Sequence, residues 1–184
     1  MILCGIDEAG RGCIAGDLVV AGVVFENSIV PKGVGDSKKI TPKRRELLYQ
    51  EIINATQYHI VTISPQEVDS EGISKCMQRA LSEILERLKA QKYLFDGNTA
   101  FGIENLETLI KADAEIPQVS AASILAKVTH DRNIIRDAKR YPEYAFEKHK
   151  GYGTKLHVEM IKKHGYCPIH RKSFRLKALE ATLF

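Results

Sequence analysis

Two short apolar runs near the start of the chain, Ile2 to Ile6 and Leu18 to Phe25, set the strongest constraint on what it can fold into. The first is broken only by Gly5, is too short for a helix and meets a glycine-rich turn, so it reads as a buried strand. The second is β-branched and strand-like, and reads as antiparallel to the first. Helical and strand patterns then alternate. Thr41-Pro42 offers an N-cap with proline at the first helical position, and Leu47, Leu48, Ile52 and Ile53 supply the apolar stripe of a helix ending near Ala55. Tyr58 to Ile63 returns to strand. Ile73, Met77, Leu81, Ile84, Leu85 and Leu88 recur at helical spacing before a strand over Tyr93-Leu94-Phe95. After a short segment near Ile110, Ser120 is expected to cap a helix whose Ala121, Ile124, Leu125, Val128, Ile135 and Ala138 point one way. A further helix is expected from about Thr154 to Lys163, followed by a basic tail.

Strands interleaved with helices after an opening hairpin predict an α/β domain, with a mixed sheet and helices on its faces. At 184 residues the chain is expected to form one domain, or one domain with a small C-terminal appendage. Hydrophobic residues at 44% and charged residues at 27% argue against a disordered or membrane-embedded chain. No apolar stretch approaches the roughly 20 residues of a membrane span, and the N-terminus reads as neither signal peptide nor anchor. Cys4, Cys13, Cys76 and Cys167 form no C-x-x-C pair, which points to a reducing cytoplasm. No heptad or exposed apolar run demands a partner, so a monomer is expected.

The formal charge of +4 is a weak hint of a polyanionic partner, and its distribution says more. Lys32, Lys38, Lys39, Lys43, Arg44 and Arg45 face one acid, Asp36, in their segment. Lys162, Lys163, Arg171, Lys172, Arg175 and Lys177 form a second, C-terminal basic cluster. Both tilt the reading toward phosphates.

Acids recur where apolar strands end. Asp7-Glu8 follows the first strand, Asp96 ends the strand at Phe95, and Asp113 precedes the long helix. Ligands of such sheets gather at strand C-terminal ends, so these acids are candidates to share one edge. Carboxylates that close repel, and one would be pushed toward its protonated form unless a cation offsets the charge. Hard oxygen ligands in an open cluster suit Mg²⁺ or Mn²⁺, and two such ions about 4 Å apart can promote phosphodiester hydrolysis. Beside the first acids, Gly10-Arg11-Gly12 allows close backbone approach, with N–H groups able to bind a sugar hydroxyl or a phosphate. Lys38, Lys39, Asn98, Ser123 and Lys127 are candidate phosphate contacts. His164, Cys167 and His170, with His149 or His157, lack the paired spacing of structural zinc, and no zinc site is expected.

Asp7-Glu8-Ala9-Gly10-Arg11-Gly12, Gly35-Asp36-Ser37-Lys38-Lys39, Asp96-Gly97-Asn98, Ser120 through Val128, His149-Lys150-Gly151-Tyr152-Gly153-Thr154 and His170-Arg171-Lys172-Ser173-Phe174 together resemble bacterial ribonuclease HII. The motifs run in that family's order through nearly the whole chain. The resemblance implies a ribonuclease H-like catalytic domain over 1–140, with a helical basic C-terminal region over 141–184 packed on it. It implies endonucleolytic hydrolysis of RNA in RNA/DNA hybrids and at ribonucleotides embedded in duplex DNA. Cleavage 5′ of the ribonucleotide would leave 3′-hydroxyl and 5′-phosphate ends. Carried over by motif, Asp7, Glu8, Asp96 and Asp113 are the catalytic metal ligands, for two Mg²⁺ or Mn²⁺ ions. Gly10, Arg11 and Gly12 read the ribose 2′-hydroxyl, and Tyr152 packs on the following deoxyribose. Cys13 and Asp17 stand where many relatives have proline, Ala112 replaces a common glycine, and Glu115 competes in sequence with Asp113 for the fourth-acid position.

Two other function classes compete with this one. A non-catalytic nucleic-acid-binding module would be marked by loss of an acid, and all four are present. A small-molecule phosphotransferase would need a phosphate-cradling Gly-rich loop ending in Lys-Ser or Lys-Thr, which the sequence lacks.

Overall fold

The computed structural model describes residues 2–25, 30, 32–34 and 40–176. Strand β1 (Leu3–Ala9) is central, antiparallel to β2 (Leu18–Val24) and parallel to β4 (Lys92–Asp96). With β3 (Gln57–Ile63) antiparallel to β2 and β5 (Leu106–Leu109) parallel to β4, the order is β3-β2-β1-β4-β5. This is the mixed α/β sheet expected from the sequence. All seven residues of β2 are buried, because both of its faces are covered. Leu18, Val20 and Val24 join Ile6, Val61 and Ile63 on one face, under α2 (Pro65–Glu71) and α3 (Ile73–Arg87). Val19, Ala21 and Val23 face the other way, toward Leu48 and Ile52 of α1 (Pro42–Ala55) and Ala121, Ile124 and Leu125 of α4 (Pro117–Ala138).

Thr41 caps α1 as expected, its hydroxyl accepting the N–H of Arg44. Leu47, expected in the apolar stripe, is exposed instead, and the buried positions are Leu48 and Ile52. Helix α2 was not anticipated. It is started by Ser64-Pro65-x-Glu67, in which the Ser64 hydroxyl accepts the Glu67 N–H and the Glu67 carboxylate accepts the Ser64 N–H. Strand β5, four residues long, is too short to show a period of its own.

Ser120 does not cap the long helix. That helix begins at Pro117, a turn earlier, with Ile116 in the cap position and Ser120 buried inside. Proline at the first helical position overrides the later serine. Further along, Ile135 is exposed and Ile134 takes the buried place, because α4 passes from the sheet onto the C-terminal region. The start of α4 presses on β1 at Gly5, where any Cβ would collide with the backbone of Gln118 and Val119.

A third cluster joins Ile14, Ala15, Ile134 and Ala138 to Tyr144, Phe146, Ile161 and Cys167. Phe146 belongs to α5 (Phe146–His149) and Ile161 to α6 (Lys155–His164), which Thr154 caps by accepting the N–H of His157. Among the described residues no helix is long and apolar enough to cross a membrane.

Candidate active site

Strand β1 does not stop before its acids. Pairing with β2 continues through Asp7↔Ala21 and Glu8↔Val20, past the last β1–β4 pair, Ile6↔Phe95. Alternation then sends successive side chains to opposite faces of the strand. Asp7 and Glu8, with Arg11, Asp96, Gly97, Asn98, Ile110, Lys111 and Asp113, line an open cleft of about 470 Å³. The four acids singled out in the sequence therefore converge. Asp113 lines the cleft, whereas Glu115 lies exposed outside it.

Each acid is held. Ser123, in the second turn of α4, sets its hydroxyl beside the Asp7 carboxylate, where it favours the charged form. Arg11 Nε lies 3.2 Å from Glu8 Oε1. Asp96 accepts two backbone N–H groups, from Lys111 at 2.9 Å and from Asp113 at 3.2 Å. Lys111 reaches this geometry through a left-handed backbone (φ 62), a device that the sequence did not advertise. Burial, reinforced by the neighbouring Glu8, pushes Asp7 up to about 8. Glu8 and Asp96 are also raised, each mainly by burial.

Glu8 Oε2 is buried and meets no hydrogen-bond partner among the described residues. An unpaired carboxylate oxygen among raised acids is a donor set suited to a hard divalent cation. The residues fit such a metal, although among the described residues no group of three or more His, Cys, Asp or Glu is already drawn together in ligating geometry.

The glycine turn lies directly after the acids. Cys13 N–H donates to Gly10 O at 3.1 Å, closing a turn with Arg11 and Gly12 at its centre. Gly10 has φ +82, and a Cβ there would strike Asp17 O and the His130 ring. Tyr152 is half-exposed and lies outside the cleft lining, but its ring neighbours His130, with centroids 6.2 Å apart. His130 Nε2 is 3.6 Å from Cys13 Sγ, which ties Tyr152 to the turn. Lys127 donates to Asp131 at 2.8 Å and sits 5.5 Å above the Tyr152 ring. Asn98 lines the cleft, and Lys38 and Lys39 lie outside the described residues.

Two features were missed in the sequence. Arg171, read as part of a basic surface run, is buried. The C-terminal histidines form a buried relay: Cys167 N–H donates to His170 Nδ1 at 2.9 Å, and His170 Nε2 lies 3.0 Å from His157 Nε2. His157 Nδ1 then reaches Tyr152 O at 2.9 Å. Neutral tautomers satisfy every link, and burial pushes both His157 and His170 down to about 4. A larger cleft, about 580 Å³, lies between α2 and the C-terminal segment. Asp69, which lines it, already accepts the N–H groups of Lys172 and Ser173, both at 2.9 Å.

The family model described as Ribonuclease HII matches residues 4–177. A ribonuclease HII of Sulfurovum sp. (strain NBC37-1) is 59% identical over 183 residues, covering 99% of this chain and 96% of that protein. One of Aliarcobacter butzleri (strain RM4018) is 54% identical, over 96% of this chain and 92% of that protein. Among solved structures, the PCNA:RNase HII complex from Archaeoglobus fulgidus contains a chain that superposes with TM-score 0.83 at 29% identity, over 96% of each chain.

Proposed function

The chain belongs to the ribonuclease HII family and is a ribonuclease H-type hydrolase; from that premise we propose that it nicks duplex DNA 5′ of embedded ribonucleotides and cuts RNA in RNA/DNA hybrids. Its products would be 3′-hydroxyl and 5′-phosphate ends. The observation that carries this reading is the convergence of Asp7, Glu8, Asp96 and Asp113 on one cleft beside the glycine turn.

Asp7, Glu8, Asp96 and Asp113 are the residues that would hold divalent cations, Mg²⁺ or Mn²⁺. Two such ions, when bound, supply charge neutralisation at the scissile phosphate and a water of lowered pKa. The protein's own contribution is placement. Ser123 and the two N–H groups on Asp96 orient carboxylate oxygens toward the cleft, and Arg11 holds Glu8 in line. Gly10, Arg11 and Gly12 would read the 2′-hydroxyl, which DNA lacks, through backbone groups. Tyr152, held by the histidine relay, would pack on the next sugar. Asn98 at the cleft would contact a backbone phosphate, as would Lys38 and Lys39. Lys127, beside the Tyr152 ring, would contact a backbone phosphate as well.

The C-terminal region beyond about residue 140 is read as a buttress for this substrate-reading edge, because its apolar cluster includes Ile14 and Ala15, just after the turn. A cytoplasmic enzyme acting beside replication is the matching cellular reading. The Archaeoglobus relative in complex with PCNA supports a replication protein as partner.

The test is a labelled DNA duplex carrying one ribonucleotide, compared with an all-DNA duplex and a continuous RNA/DNA hybrid, each in Mg²⁺, Mn²⁺ or EDTA. Metal-dependent nicking 5′ of the ribonucleotide, with the all-DNA duplex intact, is expected. Duplex binding without cutting in either metal would instead favour a non-catalytic module.

A further inference from the structure

Arg171 is 1% exposed, and a buried guanidinium is costly unless its donors are satisfied. Its donors go to main-chain carbonyls. Nε and one Nη donate to Gly16 O at 3.1 and 2.9 Å, and the other Nη donates to Arg11 O at 3.1 Å. The Arg171 backbone N–H donates to Ile14 O at 2.8 Å, and the Phe174 ring lies 5.3 Å from the guanidinium. One cation thus clasps both ends of the segment from Arg11 to Gly16.

The consequence lies in the Arg11–Gly12 peptide. There are no cis bonds among the described residues, and in a planar trans peptide the N–H points opposite to the C=O. The Arg11 carbonyl faces the buried guanidinium, so the Gly12 N–H faces away from it. Gly12 is exposed there, and a Cβ built on it would meet nothing within 4 Å. Flipping this peptide would strip a donor of its partner inside the protein and turn the Gly12 donor inward.

We propose that Arg171 is a positioning residue for ribonucleotide recognition: its guanidinium fixes the Arg11–Gly12 peptide so that the Gly12 N–H is presented to the 2′-oxygen of the sugar. This rests on the reading of the turn as the 2′-hydroxyl sensor. The position calls for arginine and not merely a positive charge, since a planar fork reaches two carbonyls at once and an ammonium does not.

Arg171→Ala would leave a cavity and unpaired carbonyls and is a poor probe; Arg171→Lys keeps the charge. Single-turnover nicking of the one-ribonucleotide duplex, duplex affinity in EDTA and amide exchange at Gly12 are measured on wild type and R171K, at a temperature where circular dichroism shows both folded. The expected result is a rate lowered about tenfold or more, the scale of a misaligned contact, with affinity within about twofold of wild type and an altered exchange rate at Gly12, since a peptide that turns carries its exposed N–H inward. Wild-type rate and exchange in R171K would overturn the proposal. So would rate and affinity falling together in step with the melting temperature, the mark of a purely structural role. If R171K does not fold, wild type decides: a protected Arg171 Nε–H, with a Gly12 amide resonance that moves on binding the ribonucleotide duplex but not the all-DNA duplex, supports it. A freely exchanging Nε–H overturns it. Equal nicking of the all-DNA duplex by wild type would refute the reading of the turn itself, independently of R171K.

Discussion

The backbone N–H of Asp113 donates to the Asp96 carboxylate at 3.2 Å, so the loop after β5 delivers the fourth acid to the cleft by hydrogen-bonding to the third. This contact uses the main chain and survives replacement of the Asp113 side chain. Asp113→Asn is therefore expected to keep wild-type melting in EDTA while losing metal-dependent nicking more than tenfold. Glu115→Gln, changing an exposed side chain outside the cleft, is expected to stay within about twofold of wild type. The opposite pattern in a nicking assay would exchange the roles of the two acids.

Removing metal exposes a stability cost at Asp7. Its pKa stands at about 8 in the fold, against 3.8 for an ordinary Asp. Between those values the folded state binds more protons than the unfolded state, so this group's contribution to stability falls as pH rises from about 4 to 8. Asp7→Asn removes the penalty. In EDTA, D7N is expected to melt above wild type at pH 8 and to converge with it near pH 4. Thermal denaturation showing no pH-dependent gap between the two would contradict the assignment.

The histidine relay has a penalty in acid. His157 and His170 stand at about 4 in the fold, against 6.5 for an ordinary histidine. The unfolded chain takes up protons first, so stability contributed by the neutral relay is present above pH 6.5 and is lost as pH falls toward 4. Groups facing the relay are His149, stacked on His157 at 4.0 Å, Tyr144, Tyr166, Cys167 and Lys172, and none of them supplies a carboxylate to stabilise an imidazolium. His157→Gln should flatten the acid limb of a melting-versus-pH curve. An unchanged limb would assign it elsewhere.

Two backbone sites give stability predictions independent of chemistry. Gly5→Ala places a methyl against the Gln118 and Val119 backbone, and is expected to cost about 1–3 kcal/mol or more in denaturant unfolding. Ser64→Ala breaks the capping box of α2 and is expected to cost about 1 kcal/mol.

The sequence carried the sheet and the acids because both are written in local signals: β-branched runs for β1 and β2, and carboxylates at strand ends. It carried α2 as well, in Ser64-Pro65-x-Glu67, a capping signature without a long apolar stripe behind it. What it did not carry depends on contacts distant in the chain. Nothing around Arg171 distinguishes it from Lys172, yet one is buried beneath Gly16 and the other is exposed. The pairing of Lys127 with Asp131, one helical turn on, and its place over the Tyr152 ring likewise depend on how the helix packs. Ser120 looks like a cap because the stronger signal, Pro117, sits only three residues before it.

The central claim, that four acids and a glycine turn form a metal-dependent site for cutting at ribonucleotides, is tested most directly by single-turnover nicking. Wild type, Asp7→Asn and Asp96→Asn are compared on the one-ribonucleotide duplex with saturating Mg²⁺ or Mn²⁺. The expected result is a cut 5′ of the ribonucleotide by wild type, with both variants slowed beyond the roughly 10–100-fold that loss of a residue behind a metal ligand costs. Their duplex affinity should be retained, since binding rests chiefly on basic contacts. Wild-type rates in either variant, or equal wild-type cutting in EDTA, would contradict the account.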